Sequence, residues 1–264
     1  MGQIHSVPIR PQPDACLSAP GAADTRLRSY VVGYAGFRSG SGAPVDHRLL
    51  PLSLTTLVIP FDGTTPLVTG PRATATLEGP TTWGYGVTVG LTPAGASALL
   101  GVPMPALAGQ TVALTDVAGR RASAVAPRLA SASGWPARFA VLDEVLTGWL
   151  GGAPVDPVVD AAWRRLQSPD RPPIDALAAE FAVSRRYLEL GFRRQVGLSP
   201  GTVARVARFQ RAVTLLSTGA GLTRTATESG YADQPHFTRE TRAMAGVTPA
   251  ELCAFVQYRP LVAP

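Results

Sequence analysis

Every one of the 24 basic residues in this 264-residue chain is arginine. A guanidinium fork grips phosphate oxygens and can hold guanine O6 and N7 at once, so these side chains suit nucleic-acid chemistry. The absence of lysine reads as the coding bias of a GC-rich genome more than as a physical requirement. Near the C-terminus the arginines fall into a register. Arg193 and Arg242 stand 49 residues apart, and the same offset relates Ser184 to Asp233, Leu188 to Phe237, Gly197 to Gly246 and Pro200 to Pro249. An offset constant over so many positions marks two copies of one unit.

Local chemistry predicts the elements that hold these residues. Ser184 and Asp233 are N-cap types whose side-chain oxygens accept from the free amides of a first helical turn. Gly197 and Gly246 can close a helix in the left-handed conformation, and Ser199-Pro200 and Thr248-Pro249 then supply a cap and an N1 proline for the next one. Ile174, Leu177, Ala178 and Phe181 recur at helical spacing upstream, with Leu188 and Phe192 as the apolar positions of the following helix. Each copy therefore predicts a helix-turn-helix, whose second helix normally enters a major groove.

The chain is long enough for two domains, and 45% apolar content supplies real cores. Charge divides unevenly. Up to residue 150 there are 10 Arg against 8 Asp and Glu, and beyond it 14 against 10, giving +2 and +4. That excess permits nucleic-acid binding without requiring it. With no membrane span or secretory pattern, and Cys16 and Cys253 as isolated thiols, the sequence predicts a reduced, cytoplasmic protein. Residues 1–28, rich in proline and without periodicity, predict a flexible arm. Tyr30 to Phe37, Leu52 to Phe61, Leu67 to Leu77 and Trp83 to Leu91 predict strands of a small antiparallel sheet or barrel, and Asp62-Gly63 a tight hairpin turn with both residues at positive φ. From Thr92-Pro93 the pattern turns helical, ending in a helix from Pro136 to Leu150 whose stripe of Phe139, Leu142, Val145, Leu146 and Trp149 suits an internal core or a dimer seam. Gly151 to Pro154 break the chain. The expected class is thus α+β: a β-rich sensor or dimerisation domain over 29–152, then an all-α domain with two helix-turn-helix motifs over 153–264.

At the matched segments the chain resembles the AraC/XylS family of bacterial transcription regulators. The resemblance rests on Ile174-x-x-Leu177-Ala178, Ser184-Arg185-Arg186-x-Leu188, Phe192-Arg193, Gly197-x-Ser199-Pro200, Arg208-Phe209, Ala212 and Leu215-Leu216. Gly230-Tyr231-x-Asp233-Gln234-x-His236-Phe237-Thr238-Arg239 and Gly246-x-Thr248-Pro249 complete it. It implies a seven-helix DNA-binding domain whose two units are joined by a long helix, here Pro200 to Ser217. Carried over by position, base readout falls to Arg185, Arg186 and Glu189 in the first copy and to Gln234, His236 and Arg239 in the second, with Arg193, Arg208 and Arg242 completing the DNA-binding set. The plainer reading gives several of these to phosphate contacts or capping. Arg205, Arg208 and Arg211, three apart along the spacer, read either as phosphate contacts or as a solvated face. Leu190, Pro235, Thr241 and Thr225 depart from the family pattern, and the two threonines predict a smaller, weaker second core unless something refills it.

The N-terminal runs His47-Arg48-Leu49-Leu50-Pro51, Phe61-Asp62-Gly63 and Gly90 to Gly101 are similar to the sensor-like halves of some actinobacterial members, which implies effector binding or dimerisation. His47, Asp62, Trp83 and Tyr85 are the candidate pocket residues, against the plainer reading that the aromatics pack a core and His47 caps a strand. Expected partners are double-stranded DNA, with RNA polymerase, a small-molecule effector and a second copy admitted, and no membrane. No cofactor or metal is expected, because His5, His47 and His236 lack ligand spacing. Nor is catalysis, because no phosphate loop, nucleophile elbow or activated cysteine is present. The competing reading is an effector-independent DNA-binding co-regulator whose N-terminal half only mediates protein contacts.

Overall fold

The computed structural model describes residues 3–11, 14, 16–77, 81–151, 155–256 and 258–260. Its N-terminal half is built on two sheets. The strands β1 (Ser6–Pro8), β2 (Cys16–Gly21), β3 (Val31–Arg38), β4 (Val45–Leu49), β5 (Thr55–Pro60), β6 (Leu67–Thr69), β7 (Thr82–Trp83), β8 (Tyr85–Leu91), β9 (Thr111–Ala113) and β10 (Tyr258–Pro260) form a seven-stranded sheet in the order β10-β2-β3-β8-β5-β6-β9 and a three-stranded sheet in the order β1-β4-β7. All pairs are antiparallel except β10 with β2.

The period of two along a strand decides which core each side chain joins. Leu57 and Ile59 of β5 share one core with Val87, Val89 and Leu91 of β8, whereas the intervening Val58 joins Leu49, Leu67 and Trp83 on the opposite face. Both faces of β5 are therefore covered, and all six of its residues are buried.

Helices cover the first of these faces. They are α1 (Pro93–Leu100), α2 (Met104–Leu107), α3 (Leu114–Ala118), α4 (Val125–Ser131) and α5 (Gly134–Trp149). Thr92 caps α1 by accepting from the Gly95 amide at 3.0 Å, with Pro93 at N1. On α5 Leu142, Val145, Leu146 and Trp149 are buried in that same core, and Phe139 stacks on Tyr34 at 5.5 Å. The apolar stripe is thus occupied by the chain's own sheet, so the dimer seam admitted by the sequence is already filled.

Three expectations are corrected here. Residues 1–28 are not a flexible arm where described: they supply β1, β2 and a 3-10 turn at Thr25–Leu27, and Val7 and Leu27 are fully buried. Proline content misled because Pro8 ends β1 and Pro20 lies on β2, whose neighbours pair despite it. Asp62-Gly63 does not form the two-residue turn: only Gly63 has positive φ, and β5 and β6 are joined by six residues in which the Asp62 carboxylate accepts from the Thr64 amide at 3.1 Å and hydroxyl at 2.7 Å. The end of the chain is not wholly helical, because β10 returns to pair with β2. The predicted break at Gly151 to Pro154 lies, beyond Gly151, outside the described residues.

Among the described residues seven helices follow: α6 (Pro157–Leu166), α7 (Ile174–Glu180), α8 (Arg185–Gln195), α9 (Pro200–Ser217), α10 (Leu222–Ser229), α11 (Gln234–Ala245) and α12 (Pro249–Phe255). No helix among the described residues is long and apolar enough to cross a membrane.

Candidate nucleic-acid interface

Helices α7 and α8 make the first helix-turn-helix, α10 and α11 the second, and the 18-residue α9 joins them. The caps form as their residue types require. Ser184 Oγ accepts from the Tyr187 amide at 3.1 Å and Asp233 Oδ1 from the His236 amide at 2.6 Å, which starts both recognition helices at equivalent positions. Gly197 and Gly246 take φ of 79° and 69° and end them. Ser199 then caps α9, and Thr248 caps α12 in a reciprocal box with Glu251. The first turn uses Ala182 at φ 52°, the one non-glycine with positive φ among the described residues, where the second unit uses Gly230.

Apolar anchors fix each recognition helix to its unit. Leu188 and Phe192 hold α8 against α6 and α7, and the Tyr187 hydroxyl donates to the Asp156 carboxylate at the start of α6. In α11 the register of Phe192 is taken by Thr241, fully buried with its hydroxyl unpartnered. The second unit's core also takes in residues from the other half of the chain. Val7 of β1 and Leu50, just after β4, are both fully buried in the second unit's core with Phe209, Phe237 and Met244. The second core, read from sequence as the smaller one, thus includes apolar residues some 200 positions upstream.

The outward faces of the two recognition helices differ in chemistry. On α8 Arg185, Arg186, Leu190 and Arg193 are exposed and Glu189 is half-buried. Arg185 pairs with Asp175 of α7 at 3.2 Å, an exposed contact that a stronger anion displaces at little cost. On α11 Gln234, Pro235, Arg239 and Arg242 are exposed. Gln234 Oε1 accepts from the Thr223 hydroxyl at 3.1 Å, leaving its amide donors free. His236 is half-buried, edge-on to Tyr231 at 5.5 Å, with Nδ1 accepting from the Ala232 amide at 3.4 Å. It is turned back on its own loop. At matched positions Arg186 faces Pro235 and Leu190 faces Arg239, so cation and apolar group exchange places between the two faces.

Arg208 does not belong to the exposed set. Its guanidinium lies 4.9 Å from the Tyr231 ring centre and 3.3 Å from Glu240, which Arg205 also grips at 2.9 Å. Burial alone would raise the Glu240 carboxyl, yet the two guanidiniums outweigh it and hold it below the ordinary glutamate range. Two of the three spacer arginines therefore tie the strut to α11 through Glu240, a residue the sequence reading passed over. Its signal was present: an acid on α11 and two arginines three apart on α9.

The four N-terminal pocket candidates do not converge. His47 stacks on Trp83 at 4.7 Å, with His5 beyond it, all within the packed face between the sheets. Tyr85 lies elsewhere, edge-on to Phe61 and Trp135, and accepts from Arg138 at 2.7 Å. Asp62 sits on an exposed loop. Trp83 packs in a core, while His47 is the middle residue of β4, not its cap, and hydrogen-bonds the Val45 carbonyl at 2.9 Å.

The run from His47 to Pro51 docks the two halves. Arg48 donates to the Ala245 carbonyl at 3.0 Å, Leu50 enters the second unit, and the Pro51 carbonyl accepts from Gln210 of α9 at 2.7 Å. Gln210, itself 3% exposed, also accepts from the Ile4 amide at 2.9 Å and donates to the Ile4 carbonyl at 3.0 Å.

A family model described as a helix-turn-helix domain matches residues 177–254. The F1 operon positive regulatory protein of Yersinia pestis is 38% identical over 79 residues, 30% of this chain and 26% of that protein, so the chain spans about a quarter of the length of this curated relative. A solved probable AraC family regulator from Rhodopseudomonas palustris is 31% identical, the match covering 39% of this chain and 99% of that one with a TM-score of 0.34. ToxT from Vibrio cholerae is 10% identical, covering 91% and 96% with a TM-score of 0.45. With seven helices, twin capped units and a matched family model in the same segment, the C-terminal part of this chain is a helix-turn-helix domain of the AraC type.

Proposed function

We propose that the protein is a sequence-specific DNA-binding transcription regulator whose N-terminal half modulates the DNA-binding half. The observation that carries this reading is the pair of exposed, basic recognition faces on α8 and α11, set at the two ends of one 18-residue strut. Eighteen residues at about 1.5 Å each span roughly 27 Å, near the roughly 34 Å between successive major-groove faces, so one molecule can place both helices on one side of a duplex. In this proposal Arg186, Arg193, Arg239, Arg242 and Gln234 meet the DNA, and Leu190 supplies an apolar contact of the kind that suits a thymine methyl. Arg185 joins them once released from Asp175, while Glu189 and His236 act at the edge of the faces.

The extensive docking between the halves supports a modulating role, since whatever alters that contact alters how the two units are held. RNA polymerase and a second copy stay as candidate partners, the protein acting in the cytoplasm without catalysis. Recovery of bound fragments from a whole genome tests the reading: the fragments should share a motif covering two adjacent groove segments. On that motif Arg186→Ala and Arg239→Ala should each weaken binding by about 1–3 kcal/mol and relax one half of the site. A loss equal on cognate and random duplexes would reassign that arginine to the phosphate backbone, and fragments without a common motif would remove the reading altogether.

A further inference from the structure

A cleft of about 580 Å³ lies between the N-terminal half and the helices α6 and α9. One side is apolar, formed by Val31, Val32, Leu54, Trp163 and Ala207; Val32 leaves 41% of its surface open, unusual for a large aliphatic side chain on a strand. The rest is polar and cationic. Arg28, Arg164, Arg171 and Arg211 line it, and among the described residues no aspartate or glutamate does. Arg164 is satisfied by Asp160 at 2.9 Å and the Ser29 carbonyl at 2.8 Å. Arg171 has only the Ser229 carbonyl, at 2.9 Å, and Arg28 and Arg211 have no hydrogen-bond or ion-pair partner among the described residues. Burial, and then repulsion from Arg208 and Arg211, lowers the Arg171 guanidinium below its ordinary value. The indole Nε1 of Trp163, buried, also lacks a partner.

Guanidiniums gathered without a counter-charge are unfavourable until an anion joins them, and each offers paired donors suited to phosphate or carboxylate. We propose that this cleft binds a small organic dianion, a phosphomonoester with an apolar or aromatic body, whose head bridges Arg171 and Arg211 with Arg28 at the mouth and whose body lies on Val32, Leu54 and Trp163. Three guanidiniums without a carboxylate match a doubly charged head better than a single one, and the volume is that of a small-molecule site. The same cleft touches α9, which carries both reading units, so occupancy bears directly on how the halves sit. The proposal deepens the modulating role argued above, but binding itself is measured without DNA and stands or falls separately.

Titration calorimetry of the full chain with phenyl phosphate, benzoate and inorganic phosphate tests it. Phenyl phosphate should bind at one site, about tenfold or more tighter than benzoate, which lacks the second charge, or inorganic phosphate, which lacks the ring. Arg171→Ala with Arg211→Ala should abolish the heat, and Arg211→Gln alone, which keeps a polar side chain but removes the charge, should weaken it about tenfold with unchanged far-ultraviolet dichroism. Benzoate binding as tightly as phenyl phosphate, phenyl phosphate binding unaltered by the arginine changes, no binding by any probe, or displacement of phenyl phosphate by random duplex DNA would each overturn it.

Discussion

Replacing Gln210 by leucine should loosen the two halves of the protein without opening a large cavity. The side chain lies on α9 at 3% exposure and makes three hydrogen bonds to the N-terminal segments, from the Ile4 amide at 2.9 Å and to the Ile4 and Pro51 carbonyls at 3.0 and 2.7 Å. Each such bond contributes about 1 kcal/mol net, so removing all three predicts a loss of about 3 kcal/mol, and more if water cannot reach the stranded Ile4 and Pro51 groups. Leucine is close to glutamine in volume, which keeps the cavity term small. Urea unfolding followed by tryptophan fluorescence provides the assay, because Trp83, Trp135 and Trp149 report the first half and Trp163 the second. The midpoint should fall with the slope little changed. A loss under about 1 kcal/mol would show that Val7, Leu50 and the remaining polar contacts such as Arg48 with Ala245 hold the halves together without Gln210, and the account of Gln210 as the interdomain clip would be wrong.

Four further outcomes follow from the structure. His5 is held at a pKa of about 3 by burial, then by Arg72 and His47, and His47 at about 4 by burial, both from an ordinary 6.5. The unfolded chain therefore binds more protons than the folded one below that value, so stability present at neutral pH should fall by about 2 kcal/mol per histidine on reaching about pH 5; urea midpoints should track this, and His47→Phe should flatten the profile. Ala182→Gly, at the left-handed residue of the first turn, should raise stability by up to about 1 kcal/mol, and a decrease in melting temperature would contradict the strain assigned there. Leu50→Ala should cost about 2–5 kcal/mol although the residue lies outside the helical domain, which thermal unfolding of the full chain would show. Glu240→Gln should free Arg205 and Arg208 from their shared carboxylate; binding to random duplex should then tighten at low salt with a steeper salt dependence, and an unchanged slope would place both arginines away from DNA.

What the residues alone determined is local. The capping types Ser184, Asp233, Ser199 and Thr248, the stops at Gly197 and Gly246, and the apolar spacing around Leu188 and Phe237 set the start, end and buried face of each C-terminal helix. Those choices depend on groups within a turn of one another. The strands β3, β5, β6 and β8 were legible for a similar reason, since alternation and turn residues act over a few positions, whereas β4 was not read and β6 is shorter than expected. Tertiary structure decided everything that joins distant positions. Only packing shows that β1 buries Val7 in the second reading unit, that Leu50 joins the same core, that β10 returns to β2, and that Arg208 faces Glu240 instead of solvent. The scattering of His47, Asp62 and Tyr85, and the gathering of Arg28, Arg171 and Arg211 in one cleft, have the same cause. Burial and charge pairing are properties of neighbours in space, and residues far apart in the chain become neighbours only when the whole chain has closed.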